Sequence, residues 1–235
     1  MRVVVVIATY NESENIESLI NKILKLSQPL DVLVVDDNSE DGTGEIAGRL
    51  AEQTGRVFVV HRPGKMGLGS ALQAGMIWAL DREYDLVCTM DADHSHAPEY
   101  LPGMLENAAD ADVLVGSRYV SGGGVRNWHL GRKVLSRAAN FYARKLMGLG
   151  TKDCTSGYRV YSRKFLKSLD YNHVTSGGFS FLVEMLYDAK IGGFRIKEFP
   201  IIFVDRVKGI SKINLNEIAK GAWNLLVRRL RLKQW

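Results

Sequence analysis

Residues 2–12 read R-V-V-V-V-I-A-T-Y-N-E, an apolar β-branched run that passes directly into a polar loop. Such a run predicts a buried strand, and helical patterns then alternate with further runs of the same kind. The predicted strands are 2–7, 32–36, 56–60, 86–90 and 112–116, and the predicted helices between them are 13–26, 43–53, 67–80 and 98–108. This alternation favours right-handed βαβ units. It therefore predicts an α/β domain with a parallel sheet and helices on both faces.

After about residue 120 the pattern changes. A glycine-rich link at 121–124 leads to a basic helix, then to D-C-T-S-G-Y-R at 153–159, a helix near 179–190 and a strand at 194–204. One domain is the simplest organisation. It would have a first half at 1–118, a second half at 119–205, and a basic loop with an amphipathic C-terminal helix at 206–235.

The composition, with 46% hydrophobic and 24% charged residues, is that of an ordinary globular protein. No apolar stretch approaches the roughly 18 to 20 residues that cross a bilayer, and the N-terminus lacks the pattern of a secretory signal. Cys88 and Cys154 form neither a disulfide framework nor a C-x-x-C metal site. These features predict a reducing, cytoplasmic setting.

Two carboxylates follow the fourth predicted strand at once, in the order Asp91-Ala92-Asp93. The carboxyl ends of parallel strands are where open α/β sheets bind their ligands. Two buried acids need a counter-charge, and a divalent cation that also holds a diphosphate is a natural partner. An ordinary solvated turn is the alternative for so short a motif taken alone.

The loops after the other strands are also polar, and we expect residues 8–12, 36–39 and 61–69 to converge on the same cleft. The dinucleotide fingerprint G-x-G-x-x-G does not follow the first strand, which disfavours a nicotinamide enzyme. A nucleoside diphosphate fits better. Tyr10, Glu12 and Asp37 can hold its base and ribose, while Lys65 and the backbone N–H groups around Gly67 can approach its phosphates.

The net charge of +5 is unevenly distributed. Residues 126–145 contain six Lys or Arg and no acid, and residues 206–235 contain eight Lys or Arg and one acid. Such segments suggest an anionic partner, which could be a membrane surface, nucleic acid or a phosphorylated substrate. Nucleic acid is disfavoured because aromatic residues are not interleaved with the basic ones. Solvated helix faces are the simple alternative.

Both basic segments have amphipathic helical patterns, each with an apolar side and a basic side. In 130–147 the apolar side is Leu135, Ala138, Ala139, Tyr142 and Leu146, and the basic side is Lys133, Arg137 and Arg144. In 214–235 the apolar side is Leu215, Ile218, Ala222, Trp223, Leu226 and Leu230, and the basic side is Lys220, Arg228 and Arg231. Each pattern predicts a helix in the headgroup region of a membrane, or else one that packs on its own sheet.

Six motifs, in this order and spacing, resemble those of a known family: V-V-V-I-A-T-Y-N-E, V-V-D-D-N-S-E-D-G-T, K-M-G-L-G-S-A, M-D-A-D-H-S-H, G-S-R-Y and D-C-T-S-G-Y-R. They are similar to those of the GT-A glycosyltransferases of family 2, and within it to the polyprenol/dolichol-phosphate mannose synthases. The resemblance covers nearly the whole chain. It implies a single α/β domain of the GT-A type, which has a Rossmann-like, mixed and mainly parallel sheet with helices on both faces. The nucleotide-sugar half would lie at 1–118 and the acceptor half at 119–205.

The resemblance also implies the roles of individual residues. The ligands of Mg²⁺ or Mn²⁺ would be Asp91, Asp93 and Ser95, where some relatives carry a longer Gln at the last position. The nucleotide sugar would be bound by Ala8, Tyr10, Glu12, Val35, Asp37, Lys65, Asp91, Ala92, Asp93, Arg206 and Lys212. The acceptor phosphate would be bound by Arg118, Arg132 and Ser211, and the catalytic set would be Asp91, Asp93, Arg118 and Arg132. Ala8 stands where the family usually has proline.

The implied reaction is inverting transfer of mannose from GDP-mannose to a polyprenyl (dolichyl) phosphate. A phosphate monoester has a second pKa of about 6, so it is largely a dianion near neutral pH and needs no general base. Glu184, His94 and His96 are therefore given no catalytic role. The alternatives are a UDP-glucose-dependent polyprenyl-phosphate glucosyltransferase and a non-catalytic nucleotide- or membrane-binding module. We expect a peripheral enzyme on the cytoplasmic face of a membrane, where a separate membrane protein could anchor it, with no nucleic-acid partner.

Overall fold

The predicted alternation of strands and helices in the first half of the chain is confirmed by a computed structural model, which describes residues 1–171, 178–205 and 215–231. The strands are β1 (Val3–Thr9), β2 (Leu30–Asp36), β3 (Val57–His61), β4 (Leu86–Met90), β5 (Val113–Ser117), β6 (Gly124–Arg126), β7 (Arg159–Ser162), β8 (Ile196–Pro200) and β9 (Ile202–Val204). The helices are α1 (Ile16–Leu24), α2 (Thr43–Thr54), α3 (Leu68–Asp81), α4 (Leu101–Ala108), α5 (Leu130–Met147), α6 (Arg163–Lys167), α7 (Phe179–Ile191) and α8 (Leu215–Arg231).

The main sheet has the strand order β3-β2-β1-β4-β7-β5-β8, and β6 pairs with β9 in a small second sheet. Strands β1 to β4 run parallel, as do β5 and β8. Strand β7 runs antiparallel between β4 and β5. The mixed, mainly parallel sheet is therefore as predicted. The position of β7 was not, because its short sequence follows a loop motif and carries no long apolar run.

The sheet separates two hydrophobic cores, because successive residues of a strand point to opposite faces. In β1, Val4 and Val6 pack with α3, in a core that α5, α6, α7 and α8 also cover. Val3, Val5 and Ile7 pack on the other face with α1, α2 and α4. Helix α3 lies so close to β1 that a Cβ added at Gly75 would collide with Val6. Helices thus cover both faces, as predicted.

The predicted strand at 194–204 is two strands in two sheets. Pro200, opposite Ser117, ends β8, and Ile201 then donates its N–H to Ser117 O at 3.0 Å. Proline has no N–H to continue a ladder. The chain continues as β9 beside β6, which belongs to the segment predicted to be a glycine-rich link. A Cβ at Gly123 would lie 2.5 Å from Ser117 O, so only glycine permits this close approach.

The apolar face of α5 is turned relative to the prediction. Ala143 and Met147 are fully buried, whereas Leu130, Val134 and Phe141 are 76%, 60% and 62% exposed. We define the exposed apolar stripe as Leu130, Val134, Leu135, Phe141 and Tyr142 of α5 together with Trp223 of α8.

Helix α8 packs on the protein, and this corrects part of its predicted pattern. Arg228, expected on an outer basic side, is directed inward and forms ion pairs with Glu184 at 2.8 Å and Asp188 at 2.5 Å. Leu225 is fully buried beside it. Within the described ranges, no helix combines the length and apolar character that a bilayer crossing requires.

Candidate active site

The polar loops after β1, β2 and β4 are tied together at the carboxyl edge of the sheet. Thr9 Oγ1 donates to Asp36 Oδ1 at 2.9 Å, and Asn11 N donates to Ser39 Oγ at 2.9 Å. The loop after β4 is joined to α1 by a 2.7 Å hydrogen bond between Ser18 Oγ and His94 Nε2. Each loop turns through a residue in the left-handed region: φ is 54° at Asn11, 57° at Asn38 and 61° at His94. Such backbone is strained for residues other than glycine, and it often marks functional loops.

The acidic pair differs in exposure. The side chain of Asp91 is 40% exposed. Asp93 is buried, and its Oδ1 accepts hydrogen bonds from Ser95 N at 3.1 Å and Ser95 Oγ at 2.6 Å. The solvated-turn alternative for this motif therefore does not describe Asp93. Ala92 between them is buried against the core below α1 and α4.

His96 holds the start of this loop. Its Nδ1 accepts the backbone N–H of Asp91 at 3.0 Å, so this nitrogen carries no proton. Burial lowers the pKa of His96, which keeps the ring neutral near pH 7. The ring stacks on Tyr158 at 5.0 Å and meets the edge of Phe203 at 5.4 Å. His96 is thus a fixed acceptor that orients the Asp91 backbone, in keeping with the expectation that it has no role as a base.

Asp37 organises the loop after β3. Its Oδ2 accepts the N–H groups of Met66 and Gly67 at 3.0 and 3.2 Å, and its Oδ1 lies 2.9 Å from Arg62 Nη1. Both partners of this ion pair are buried. The loop places Lys65 Nζ 4.6 Å above the ring of Tyr10. Tyr10, Asp37 and Lys65 are therefore brought together, with Lys65 exposed at the surface.

The remaining residues of the predicted nucleotide site differ in burial and in hydrogen bonding. The backbone N–H of Glu12 donates to Thr43 Oγ1 at 2.9 Å, and its Oε2 accepts from Asn15 at 3.0 Å. Ala8 lies in β1 and is partly buried. Val35 is fully buried within β2, with its side chain in the core shared with α3. Arg206, Ser211 and Lys212 lie outside the described residues.

Arg118, at the carboxyl end of β5, forms a buried ion pair with Asp153. Its Nε and Nη2 donate to the two carboxylate oxygens, both at 2.7 Å, and Nη2 also donates to Thr155 Oγ1 at 2.8 Å. Burial alone would lower the pKa of Arg118, but the Asp153 carboxylate outweighs it and the pKa is raised. Likewise burial would raise the pKa of Asp153, but Arg118 holds it below its usual value. Both groups are charged near pH 7.

Arg132 lies in the first turn of α5, whose N-terminus is capped by His129 Nδ1 accepting the Arg132 N–H at 3.2 Å. Its Nη1 donates to Asp205 at 2.6 Å, in a pair about one quarter exposed on each side. The guanidinium carbons of Arg132 and Arg118 lie 4.3 and 5.4 Å from the ring centre of Trp128. The two arginines predicted to bind one phosphate are therefore neighbours, separated by an aromatic side chain.

The loop at 153–158 connects the arginines with the acidic pair. Asp153 holds Arg118, and Gly157 O accepts the Thr89 hydroxyl at 2.7 Å. A Cβ added at Gly157 would lie 3.4 Å from Asp91 Oδ1. Arg159 fixes this loop from below, because its guanidinium donates to the carbonyls of Ser156 at 2.8 Å and Cys154 at 2.8 Å. The sequence motif D-C-T-S-G-Y-R alone did not indicate these roles.

Glu184 is buried and accepts a hydrogen bond from Arg228 at 2.8 Å. It is thus a satisfied helix residue. The residues that sequence analysis missed in this region are Trp128, Asp153 and Phe203. No local pattern distinguishes Trp128 and Phe203 from ordinary core residues. Asp153 opens the motif D-C-T-S-G-Y-R, but its role depends on Arg118, which lies 35 positions away in sequence.

The comparisons with known proteins agree with this geometry. The sequence profile described as Glycosyl transferase family 2 matches residues 4–170. A polyprenol monophosphomannose synthase of Mycolicibacterium smegmatis is 44% identical over 226 residues, which cover 95% of this chain and 85% of that protein. An undecaprenyl-phosphate mannosyltransferase of Micrococcus luteus is 42% identical over 225 residues, which cover 96% of this chain and 93% of that protein.

Among solved structures, glucosyl-3-phosphoglycerate synthase from Mycobacterium tuberculosis, in complex with Mn²⁺, uridine diphosphate and glucosyl-3-phosphoglycerate, has a TM-score of 0.67. The match covers 97% of this chain and 78% of that one at 21% identity. The likeness therefore concerns the fold, which is the GT-A fold.

Proposed function

Because the chain belongs to glycosyl transferase family 2, we propose that it transfers mannose from GDP-mannose to a polyprenyl phosphate, with inversion at the anomeric carbon. The names of the two relatives support mannose as the sugar and a polyprenyl phosphate as the acceptor, and GDP as the nucleotide is part of the proposal. One observation carries the proposal. Phe203 contacts His96, which holds the acidic loop, and also lies 5.6 and 5.9 Å from the guanidinium carbons of Arg118 and Arg132. Groups suited to a leaving diphosphate and to an incoming phosphate thus flank one aromatic wall.

The acidic loop fits a divalent cation, Mg²⁺ or Mn²⁺. Asp91 and Asp93 supply carboxylate oxygens, and the Ser95 hydroxyl that donates to Asp93 keeps lone pairs free to accept. In the described part of the chain, no cluster of three or more His, Cys, Asp or Glu is arranged for a metal. The ion would therefore be held jointly with the diphosphate of the donor. When bound, it stabilises the negative charge that develops on the leaving group.

The donor nucleotide would lie against the loops after β1, β2 and β3. Tyr10 offers a ring for the base, and Glu12 and Asp37 offer carboxylates for base and ribose. Lys65, held over Tyr10 at 4.6 Å, can reach the phosphates. Ala8, Val35 and Ala92 would contribute mainly main-chain contacts because their side chains are small or buried. Arg206 and Lys212, outside the described residues, stay predictions for the diphosphate side.

The acceptor phosphate would be bound by Arg118 and Arg132, with Ser211 as a further prediction outside the described residues. Asp153 and Thr155 occupy Nε and Nη2 of Arg118, which leaves Nη1 for a ligand. Asp205 occupies one N–H of Arg132, which leaves the rest of the guanidinium. The dianionic phosphate attacks the anomeric carbon directly, so the arginines position it and no side chain needs to take a proton.

The exposed apolar stripe would lie on an anionic membrane surface. Arg137 and Lys145 are exposed among its apolar side chains, and Lys145 Nζ lies 5.8 Å from the ring of Phe141. Apolar burial and attraction to anionic headgroups would act together. Arg132 lies in the first turn of the same helix, so membrane contact would bring the acceptor arginines to the level of lipid phosphates. The protein would thus act peripherally on the cytoplasmic face.

The decisive experiment incubates the purified chain with labelled GDP-mannose or UDP-glucose and a short polyprenyl phosphate, with and without Mn²⁺. We expect a mannolipid to form from GDP-mannose and no product from UDP-glucose, and we expect transfer only when Mn²⁺ is present. Product from UDP-glucose alone would favour the glucosyltransferase alternative. Nucleotide binding without product from either donor would favour a non-catalytic module. Activity on protein-free vesicles would show that no separate membrane anchor protein is needed.

A further inference from the structure

Trp128 lies between the two arginines of the acceptor site. Its ring centre is 4.3 Å from Cζ of Arg132 and 5.4 Å from Cζ of Arg118. Both distances fall within the range of about 6 Å at which a guanidinium is attracted to an aromatic ring. The side chain is 7% exposed, and its contacts are therefore largely shielded from water.

Phe203 of β9 supports this arrangement from the other side. Its ring meets Trp128 at 5.3 Å and an interplanar angle of 71°, the edge-to-face geometry that aromatic pairs prefer. Phe203 also contacts His96 at 5.4 Å, and His96 accepts the backbone N–H of Asp91. A continuous set of contacts therefore joins the two arginines to the loop of the acidic pair.

Hydrogen bonding by the indole N–H does not explain why a tryptophan stands at position 128. In the described part of the chain, Nε1 is buried without a hydrogen-bond partner. A buried N–H without a partner is unfavourable, so a phenylalanine would serve better if only apolar volume mattered. What the indole offers beyond volume is a large, electron-rich ring, and tryptophan is the strongest partner for a cation among the aromatic residues.

Two guanidinium groups that bind one phosphate repel each other while the phosphate is absent. Each has a carboxylate partner, Asp153 for Arg118 and Asp205 for Arg132, but those carboxylates lie on separate elements. Trp128 and Phe203 both contact the two guanidinium groups, and the Trp128 ring is the nearer of the two to each arginine. We propose that Trp128 is a positioning residue of the acceptor site: its ring stabilises Arg118 and Arg132 next to each other, ready for the phosphate of the acceptor. This inference rests on the proposed function of the two arginines.

The test compares Trp128→Leu, which removes the ring, with Trp128→Phe, which keeps a ring and removes the N–H. We expect Trp128→Leu to raise the KM for polyprenyl phosphate about tenfold, as the loss of a shielded cation–ring contact would. The KM for GDP-mannose should stay within about twofold, since the ring contacts of Trp128 within the described ranges are with Phe203, Arg118 and Arg132. Trp128→Phe should retain most of the acceptor affinity. A Phe variant as impaired as the Leu variant would overturn a role for the ring.

A double-mutant cycle with Arg132→Ala separates positioning from simple packing. If Trp128 acts through the arginine, Trp128→Leu should raise the acceptor KM much less in the Arg132→Ala background than in the wild type. Equal effects in both backgrounds would overturn the inference. If Trp128→Leu does not fold, Phe203→Leu takes its place in the cycle, because that ring also contacts both guanidinium groups.

Trp78→Leu is the matched control. Trp78, on α3, also packs beneath an arginine, with Arg82 Cζ 4.1 Å from its ring. This substitution should lower thermal stability without changing the acceptor KM.

Direct titration with polyprenyl phosphate in the absence of nucleotide compares the lipid affinity of the wild type and of Trp128→Leu when no transfer can occur. If the wild type makes no product but binds the lipid, and Trp128→Leu weakens that binding, the proposed reaction is wrong and the positioning role stands. If Arg132→Ala does not alter lipid binding, the assignment of the acceptor site itself fails.

Discussion

Arg118→Ala should lower stability as well as acceptor affinity, because Arg118 is half of a buried ion pair. Asp153, fully buried, would lose the two 2.7 Å contacts with the guanidinium and keep the 3.0 Å hydrogen bond from the Arg118 backbone N–H. Removing one partner of a buried pair costs about 3–5 kcal/mol. Since this hydrogen bond and the longer one from Thr155 Oγ1, at 3.5 Å, both survive, we expect the lower end, about 3 kcal/mol. For a domain of this size that corresponds to a fall in Tm of about 6–12 °C.

Arg132→Ala is the matched control, because it removes the other acceptor arginine from a partly exposed ion pair. The side chains of Arg132 and Asp205 are 26% and 25% exposed. Pairs of this kind contribute about 0–1 kcal/mol, so Tm should fall by no more than about 4 °C. Both variants should raise the acceptor KM and leave the KM for GDP-mannose nearly unchanged. If both arginines bind the acceptor, as proposed, the two variants will share a defect in acceptor KM and differ in their loss of stability.

The dependence on pH gives a second measurement on the same variants. In the wild type the pKa of Asp153 is lowered, so its stabilising contribution is present above its ordinary pKa of 3.8 and is lost as the pH falls through the lower folded value. Without the Arg118 guanidinium, only the Arg118 backbone N–H and the more distant Arg159 still oppose the effect of burial, and the pKa of Asp153 should rise above 3.8. The variant then gains a proton on folding at pH values between 3.8 and the raised pKa, and becomes relatively more stable in acid. The gap in Tm between wild type and Arg118→Ala should therefore narrow as the pH falls from 7 towards 3.8.

Differential scanning fluorimetry across this pH range, together with steady-state kinetics for both substrates, would measure these effects. Adding Asp153→Asn to Arg118→Ala should restore part of the lost Tm, because it removes the uncompensated charge, while the acceptor KM stays high. The reasoning is refuted if Arg118→Ala melts within 2 °C of the wild type at every pH. It is also refuted if the added Asp153→Asn restores acceptor affinity along with stability.

Three further predictions concern other parts of the molecule. Asp93→Ala should abolish transfer and should abolish Mn²⁺ binding in the presence of GDP-mannose. Its Tm should change by at most about 4 °C, since the residue lies at the edge of the sheet. Transfer that persists in EDTA would contradict the metal assignment. Phe141→Asp should weaken salt-sensitive co-sedimentation with anionic vesicles, whereas Ile77→Asp, an exposed apolar residue on α3, should not; equal loss in both would argue against the exposed apolar stripe. Arg228→Ala should lower Tm by about 6–12 °C and expose α8 to proteolysis, because Glu184 is left buried without its guanidinium; an unchanged digestion pattern would show that α8 is held by apolar packing alone.

The local arrangement of strands and helices could be predicted because it depends on neighbouring residues. The run at Val3–Thr9 and the other buried strands carry their β-branched pattern in sequence, and their polar ends mark the binding edge of the sheet. The strands in the second half of the chain were harder to predict. β7 has only four residues, and β8 and β9 lie in one predicted strand at 194–204 although they enter different sheets. The sheet that each of these strands joins is decided by pairing with residues far away in sequence.

Helix α5 shows the same limit. The sequence of α5 is apolar on more than one side, so its pattern alone did not specify which side the core would cover. Packing decided it: Ala143 and Met147 face inward, and Phe141, which was not among the predicted apolar positions, is 62% exposed. For α8, the inward direction of Arg228 required knowledge that Glu184 and Asp188 lie opposite on α7.

The sequence by itself determined the α/β class, the place of Asp91 and Asp93 at a strand end, and the basic character of two segments, because each of these is a property of adjacent residues. Only the tertiary structure decided how the candidate acceptor site is built. Arg118 is paired with a residue 35 positions away and Arg132 with one 73 positions away, while Trp128 and Phe203 meet from different elements. Charge interactions and ring contacts depend on distance in space. Neighbouring residues in the sequence do not indicate which distant residues the fold will bring close enough to interact.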